Sequence, residues 1–210
     1  VTLVKICGVT RVEQALACVE LGADAIGVNF IASSPRRVDI ATGAAIVRAV
    51  GDRALAVGVV AGLSLDAMRA LRDETGVGCL QLQGHESAKE VAALLPHAYK
   101  AVRVGGAADV AVAASMPGDY VLVDAKHGDA LGGTGRTFDW SLVATLASRR
   151  RLVLAGGLRP ENVADAIAAV GPYCVDVASG VESTPGLKDL ERVKSFIERV
   201  RAADVSSPRP

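Results

Sequence analysis

Short apolar runs and alanine-rich amphipathic segments alternate along nearly the whole chain, at a spacing of roughly 25 residues. Few folds accept that rhythm. A run built almost wholly of Val, Ile, Leu and Ala suits a strand buried on both faces. An amphipathic segment between two such runs suits the helix that carries the chain back to the start of the next parallel strand. The runs predict strands over 3–7, 24–30, 54–60, 78–82, 99–103, 120–124, 152–155 and 174–178. Helices are predicted near 11–21, 40–50, 64–74, 87–95, 107–115, 139–147, 160–169 and 189–203. Thr10 with Glu13 reads as a capping box for the first helix, and Gly22 follows its end. Pro160 suits the first turn of the seventh helix, and Gly51, Gly76 and Gly171 read as helix ends. Eight such units close a parallel sheet into an α/β, single-domain (βα)8 or TIM barrel over residues 1–203, leaving 204–210 as an unpacked tail. An open doubly wound sheet is the structural rival, but it usually needs fewer strands.

Composition narrows the function. Aromatic residues make up 3% of the chain while half is hydrophobic, so the core must be aliphatic. Lys plus Arg equals Asp plus Glu, at 23 each, so no charge excess draws the chain to nucleic acid or an anionic membrane. No signal peptide or bilayer-spanning run is legible, and a cytoplasmic location is expected. The cysteines, Cys7, Cys18, Cys79 and Cys174, form no CxxC pair and no Cys/His metal spacing, so neither metal nor cofactor is expected. Cys18, Cys79 and Cys174 read as small buried hydrophobes.

In a barrel of this kind chemistry sits at the carboxyl ends of the strands. Cys7 ends the first strand and Asp124 the sixth, which offers a proton acceptor and a proton donor across one mouth. Strand alternation puts Lys5 with Cys7 on one face and Cys174 with Asp176 on one face. First and eighth strands are neighbours on closure, so Lys5 and Asp176 are expected to pair inside the barrel, below the thiol. The turns Ala155-Gly156-Gly157-Leu158 and Ala178-Ser179-Gly180-Val181 follow the seventh and eighth strands, where barrels commonly bind phosphate through backbone N–H groups. Leu131-Gly132-Gly133-Thr134-Gly135-Arg136 lacks the P-loop spacing and reads as a loop over the substrate. On the same rim, Arg36 or Arg37 is placed to clamp a carboxylate.

Taken together, these segments resemble the phosphoribosylanthranilate isomerase family of tryptophan biosynthesis. The resemblance rests on Lys5-Ile6-Cys7-Gly8-Val9-Thr10, Gly22-Ala23-Asp24-Ala25-Ile26-Gly27, Ser34-Pro35-Arg36, Gln81-Leu82 and Val123-Asp124. It continues through Gly132-Gly133-Thr134-Gly135 with Phe138-Asp139-Trp140, Ala155-Gly156-Gly157-Leu158, Ser179-Gly180-Val181-Glu182 and Pro185-Gly186-Leu187-Lys188-Asp189. It implies that Cys7 is a general base and Asp124 a general acid. It further implies that Arg36 holds a substrate carboxylate, and that Gly133, Gly156, Gly157, Ser179 and Gly180 bind substrate. The implied reaction is an Amadori rearrangement of N-(5-phosphoribosyl)anthranilate. A free thiol is only a few per cent thiolate at neutral pH, so the base role calls for a modest lowering of its pKa by nearby cations or helix ends. Asn29, Ser33, Arg37 and Gln83 depart from the family's usual residues on the rim.

Two enzyme readings and one binding reading stand beside this. A histidine-pathway ribonucleotide isomerase runs similar chemistry but resembles a two-aspartate barrel with two phosphate sites. A lysine Schiff-base aldolase is disfavoured because Lys5 is expected below the mouth. A non-catalytic phosphate-ligand-binding barrel has no need of both Cys7 and Asp124. A monomer is the default state of association, with a dimer open.

Overall fold

The computed structural model describes residues 1–125 and 140–206. The eight strands β1 (Leu3–Cys7), β2 (Ala25–Asn29), β3 (Leu55–Val60), β4 (Cys79–Leu82), β5 (Ala98–Val104), β6 (Tyr120–Ala125), β7 (Arg151–Ala155) and β8 (Cys174–Val177) pair in sequence order, and β8 returns to β1. All eight pairings are parallel and the barrel is closed. The return helices are α1 (Val12–Glu20), α2 (Ile40–Val50), α3 (Leu65–Thr75), α4 (Ala88–Leu94), α5 (Ala107–Ser115), α6 (Ser141–Ala147), α7 (Val163–Val170) and α8 (Leu190–Ser206). An antiparallel hairpin, β9 (Glu182–Thr184) with β10 (Leu187–Lys188), lies between β8 and α8 and was not foreseen.

The strand alternation sorts the core into two layers. On β1, Val4 and Ile6 pack outward with Ile26, Val28, Val175 and Val177 against helix residues such as Ala15, Ile46, Ile167 and Phe196. Inside the barrel, Ala25, Val57, Tyr99, Ala101, Leu122, Val153, Ala155 and Cys174 pack against one another. Helix ends follow the expected chemistry at Gly76 and Gly171, both left-handed caps, and Ser64 and Asp39 cap their helices through side-chain bonds.

Three local expectations are corrected. The Thr10–Glu13 capping box does not form. The helix starts at Val12 after Arg11, and the Thr10 hydroxyl instead donates to the Gly186 carbonyl at 2.7 Å, tying the hairpin tip to the rim. Pro160 lies in a turn ahead of α7, which begins at Val163. The last helix runs past Ala203 to Ser206, so 204–206 are helix and not tail. The Asp204 carboxylate accepts from both the backbone N–H and the hydroxyl of Thr2, each at 2.7 Å, which gives that last turn a tertiary anchor. Residues 207–210 lie outside the described residues.

Candidate active site

At the carboxyl ends of the strands the barrel opens into a cavity of about 380 Å³. Cys7, Arg36, Asp124, Gly156, Gly157 and Ser179 all line it, joined by Asn29, Gln81, Gln83, Arg103 and Asp176. One mouth therefore collects these residues from seven strands or the loops after them. Gly133 and the whole Leu131–Arg136 segment lie outside the described residues.

The floor of the cavity is polar. Lys5 Nζ lies 2.9 Å from Asp176 Oδ2 and 2.9 Å from Gln81 Oε1, and the Tyr99 hydroxyl donates to the same Gln81 oxygen at 3.1 Å. Lys5 and Asp176 face each other directly in the β1–β8 register, as strand alternation and closure require. Both are buried, at 2% and 6% exposure, so neither charge could persist there alone. Burial works to discharge Lys5, but Asp176 and the neighbouring Cys7 and Tyr99 outweigh it and hold the ammonium well above its ordinary pKa. Lys5→Met, which strands the Asp176 charge, is expected to destabilise the fold by about 3–5 kcal/mol, read from denaturant midpoints. A loss below about 1 kcal/mol would show that the pair is dispensable.

Directly above this pair sits Cys7. Gly27 is its neighbour in the β1–β2 register, and a Cβ on Gly27 would stand 2.7 Å from the thiol sulfur and 3.1 Å from Lys5 Nζ. Glycine at 27 thus makes room for both groups. The expected lowering of the thiol pKa is not found. Burial and the Asp176 carboxylate push the Cys7 thiol up, and Lys5 and Lys188 only partly oppose them. Cys18 and Cys79 are pushed to about 11 by burial, as suits inert core thiols.

The two turns expected to bind phosphate meet at the cavity edge. Gly156 and Gly157 both adopt positive φ, 94° and 64°, a conformation that glycine alone enters without strain. Ser179 opens a short 3₁₀ turn, Ser179–Val181. Gly180 is not among the cavity walls. A Cβ there would collide with the Leu158 carbonyl oxygen, so its glycine allows the two turns to lie against each other.

Arg36 reaches the cavity by crossing Gly8, which has φ 74° and whose Cβ would occupy the place of the arginine side chain. Arg37 is exposed, and it and Ser33 are absent from the walls, whereas Asn29 and Gln83 line them. Sequence reasoning gave no role to Glu182 or Lys188. Glu182 accepts from Arg36 Nε at 2.8 Å and from Nη2 at 2.6 Å, and from Lys188 Nζ at 2.7 Å. Their presence in the quoted motifs was the only signal, and no spacing rule joins Arg36 to a carboxylate 146 residues away.

Burial opposes ionisation of Glu182, but the bonds from Arg36 and Lys188 prevail and bring its pKa from an ordinary 4.5 to about 2. A lowered carboxyl stabilises the fold fully above pH 4.5, and that contribution drains as pH falls toward 2. Between those limits wild type is expected to lose stability more steeply than Glu182→Gln, in a series of thermal melts. Parallel curves would show that this carboxylate contributes nothing to acid sensitivity.

The likeness to known proteins runs over the same ground. Residues 4–199 match the profile of the family described as N-(5'phosphoribosyl)anthranilate (PRA) isomerase. The N-(5'-phosphoribosyl)anthranilate isomerase of Pseudomonas fluorescens is 44% identical over 199 residues, covering 94% of this chain and 97% of its own. The phosphoribosyl anthranilate isomerase of Thermotoga maritima superposes with a TM-score of 0.88 at 36% identity, over 96% of this chain and all of its own. A solved complex of such an isomerase with reduced 1-(o-carboxyphenylamino)-1-deoxyribulose 5-phosphate gives a TM-score of 0.86 at 34% identity, with the same coverage. Sequence match, barrel superposition and a rim carrying a thiol, a carboxyl group and two glycine turns agree with one another, and this chain belongs to the N-(5'-phosphoribosyl)anthranilate isomerase family.

Proposed function

We infer that this chain catalyses the Amadori rearrangement of N-(5'-phosphoribosyl)anthranilate to 1-(2-carboxyphenylamino)-1-deoxyribulose 5-phosphate, a step of tryptophan biosynthesis. The observation that carries the assignment of residues is the single cavity lined by Cys7, Asp124, Arg36, Gly156, Gly157 and Ser179. Asp124 gives its proton to the ribose ring oxygen, and the bond from that oxygen to C1′ breaks. The nitrogen lone pair follows to form an iminium. Cys7 then takes the C2′ proton, and the electrons of that C–H bond neutralise the iminium as an enolamine, which tautomerises to the ketone. The phosphate rests against the Gly156–Gly157 and Ser179 turns, and Arg36 meets the anthranilate carboxylate.

The raised Cys7 thiol fits this order of events. Burial and Asp176 favour the protonated thiol. Ring opening creates a cation beside it, and a nearby positive charge lowers a thiol pKa. The charge created by the acid step therefore favours the thiolate: the thiol gives its proton to water, and the thiolate so formed accepts the C2′ proton. The chain's own groups supply the acid and the base, and the reaction as written calls on no cofactor.

We read the chain as a monomeric cytoplasmic enzyme. No described helix is long and apolar enough to cross a membrane. Of the exposed large hydrophobics Val1, Ile40, Leu55, Leu95, Val112, Leu190 and Val205 among the described residues, only Leu190 and Val205 share an element, at opposite ends of α8.

Purified protein is expected to turn over phosphoribosylanthranilate and to leave the histidine-pathway ribonucleotide unchanged. Turnover of the second substrate alone would favour the rival isomerase. Saturable binding of both without product would favour a binding protein.

A further inference from the structure

Beyond the acid, the base and the arginine lies a buried cross-strand pair on the hairpin after β8. Glu182 and Lys188 are register partners on β9 and β10, with side chains 4% and 0% exposed. Lys188 Nζ donates to three oxygens: Glu182 Oε1 at 2.7 Å, the Cys7 carbonyl at 2.6 Å and the Ala178 carbonyl at 3.3 Å. An ammonium has three protons, so its capacity is filled. Glu182 in turn takes Nε and Nη2 of Arg36 with its two oxygens, and its Oε1 also accepts from the Gly186 N–H at 3.2 Å.

This arrangement has a directional consequence. A guanidinium carries five N–H bonds in one plane. Glu182 uses the side edge, Nε with one Nη2 hydrogen. The end edge, formed by Nη1 and the other Nη2 hydrogen, is taken by no described residue, and Arg36 stays 21% exposed where it lines the cavity. That end edge is a second fork able to receive another carboxylate with two parallel bonds.

A carboxylate that aims an arginine normally also cancels its charge. Here the three ionised groups sum to one positive charge, because Lys188 neutralises Glu182. We propose that Glu182 and Lys188 are positioning residues for substrate selection: Glu182 fixes the orientation of the Arg36 end fork, and Lys188 offsets the Glu182 charge so that the cluster behind the fork stays net positive, and the pair thereby sets the preference for a substrate with an ortho-carboxylate on its aryl ring. Through the Cys7 and Ala178 carbonyls, Lys188 ties this device to the strand end that carries the base and to the residue ahead of the Ser179 turn. The proposal rests on the isomerase reading and assigns a role to groups that do not touch the substrate.

The test uses two ligands, the reduced product analogue with its ring carboxylate and the same molecule with an unsubstituted phenyl ring, each titrated calorimetrically into intact protein. The readout is the ratio of their dissociation constants. Glu182→Gln and Lys188→Gln are each expected to lower that preference about tenfold, while affinity for the phenyl compound stays within about threefold of wild type. In an Arg36→Ala background, where the preference is already gone, adding Glu182→Gln is expected to change the ratio by less than about twofold. A merely structural role would weaken both ligands alike, and that result, or an unchanged ratio in folded variants, overturns the proposal. If Lys188→Gln does not fold, the isosteric Glu182→Gln decides alone. If Glu182→Gln also fails to fold, the pair is a stability element and the proposal falls. Wild type that turns over phosphoribosylanthranilate while the ratios stay fixed sinks this inference only; wild type with no turnover sinks the isomerase reading.

Discussion

Cys7→Ala is expected to lower kcat by about 10³-fold, within the range assigned to removal of a positioned general base. Affinity for the reduced product analogue should stay within a few-fold of wild type, since alanine removes one sulfur from the cavity wall and leaves Arg36 and the glycine turns in place. Such a pattern marks an interaction made in the transition state rather than in ground-state binding. The raised thiol adds a second signature. Alkylation of Cys7 in the empty enzyme is expected to accelerate with pH through a midpoint above the ordinary thiol value, because only the thiolate reacts. Turnover by Cys7→Ala within about tenfold of wild type would remove the thiol from the chemistry.

Asp124→Asn should be comparably severe, with a loss of about 10²–10⁴-fold in kcat and little change in analogue binding. Asparagine keeps the shape and a hydrogen-bond donor but has no proton acidic enough to give the ring oxygen. The defect should fall on ring opening. A substrate analogue already opened to the imine would bypass that step, so the variant should process it far better than the closed glycosylamine. Equal defects on both forms would move Asp124 from acid catalysis to a binding role.

The site was partly legible because a strand's period of two is a local rule with a tertiary consequence. Lys5 and Cys7 had to share one face, as did Cys174 and Asp176, and closure of eight parallel strands then brought Lys5 to Asp176 at 2.9 Å. Where a group's neighbours came from loops, no such rule existed. Thr10 followed by Glu13 satisfies the sequence pattern of a capping box, yet its hydroxyl found Gly186, a carbonyl supplied by a hairpin far along the chain. Arg36 was correctly placed at the rim, but its edge-on partner Glu182 could not be read. The two meet because the hairpin folds back onto the rim and Arg36 crosses Gly8, where a side chain would have blocked it.

The sign of the Cys7 shift failed for a related reason. Cations near the thiol were foreseen, but the depth of burial and the approach of Asp176 outweigh them. A pKa reflects the sum of desolvation and all neighbouring charges, and that sum needs distances.

By itself the sequence determined the closed α/β barrel, the strand ends that face the mouth and the identity of the acid and base candidates, because periodicity and chain order are carried by local spacing. Only the tertiary structure decided which edge of Arg36 Glu182 takes, which carbonyls Lys188 holds and in which direction the surroundings of Cys7 move its thiol. Those properties depend on angles, burial and contacts between residues more than a hundred positions apart, and no pattern along the chain encodes them.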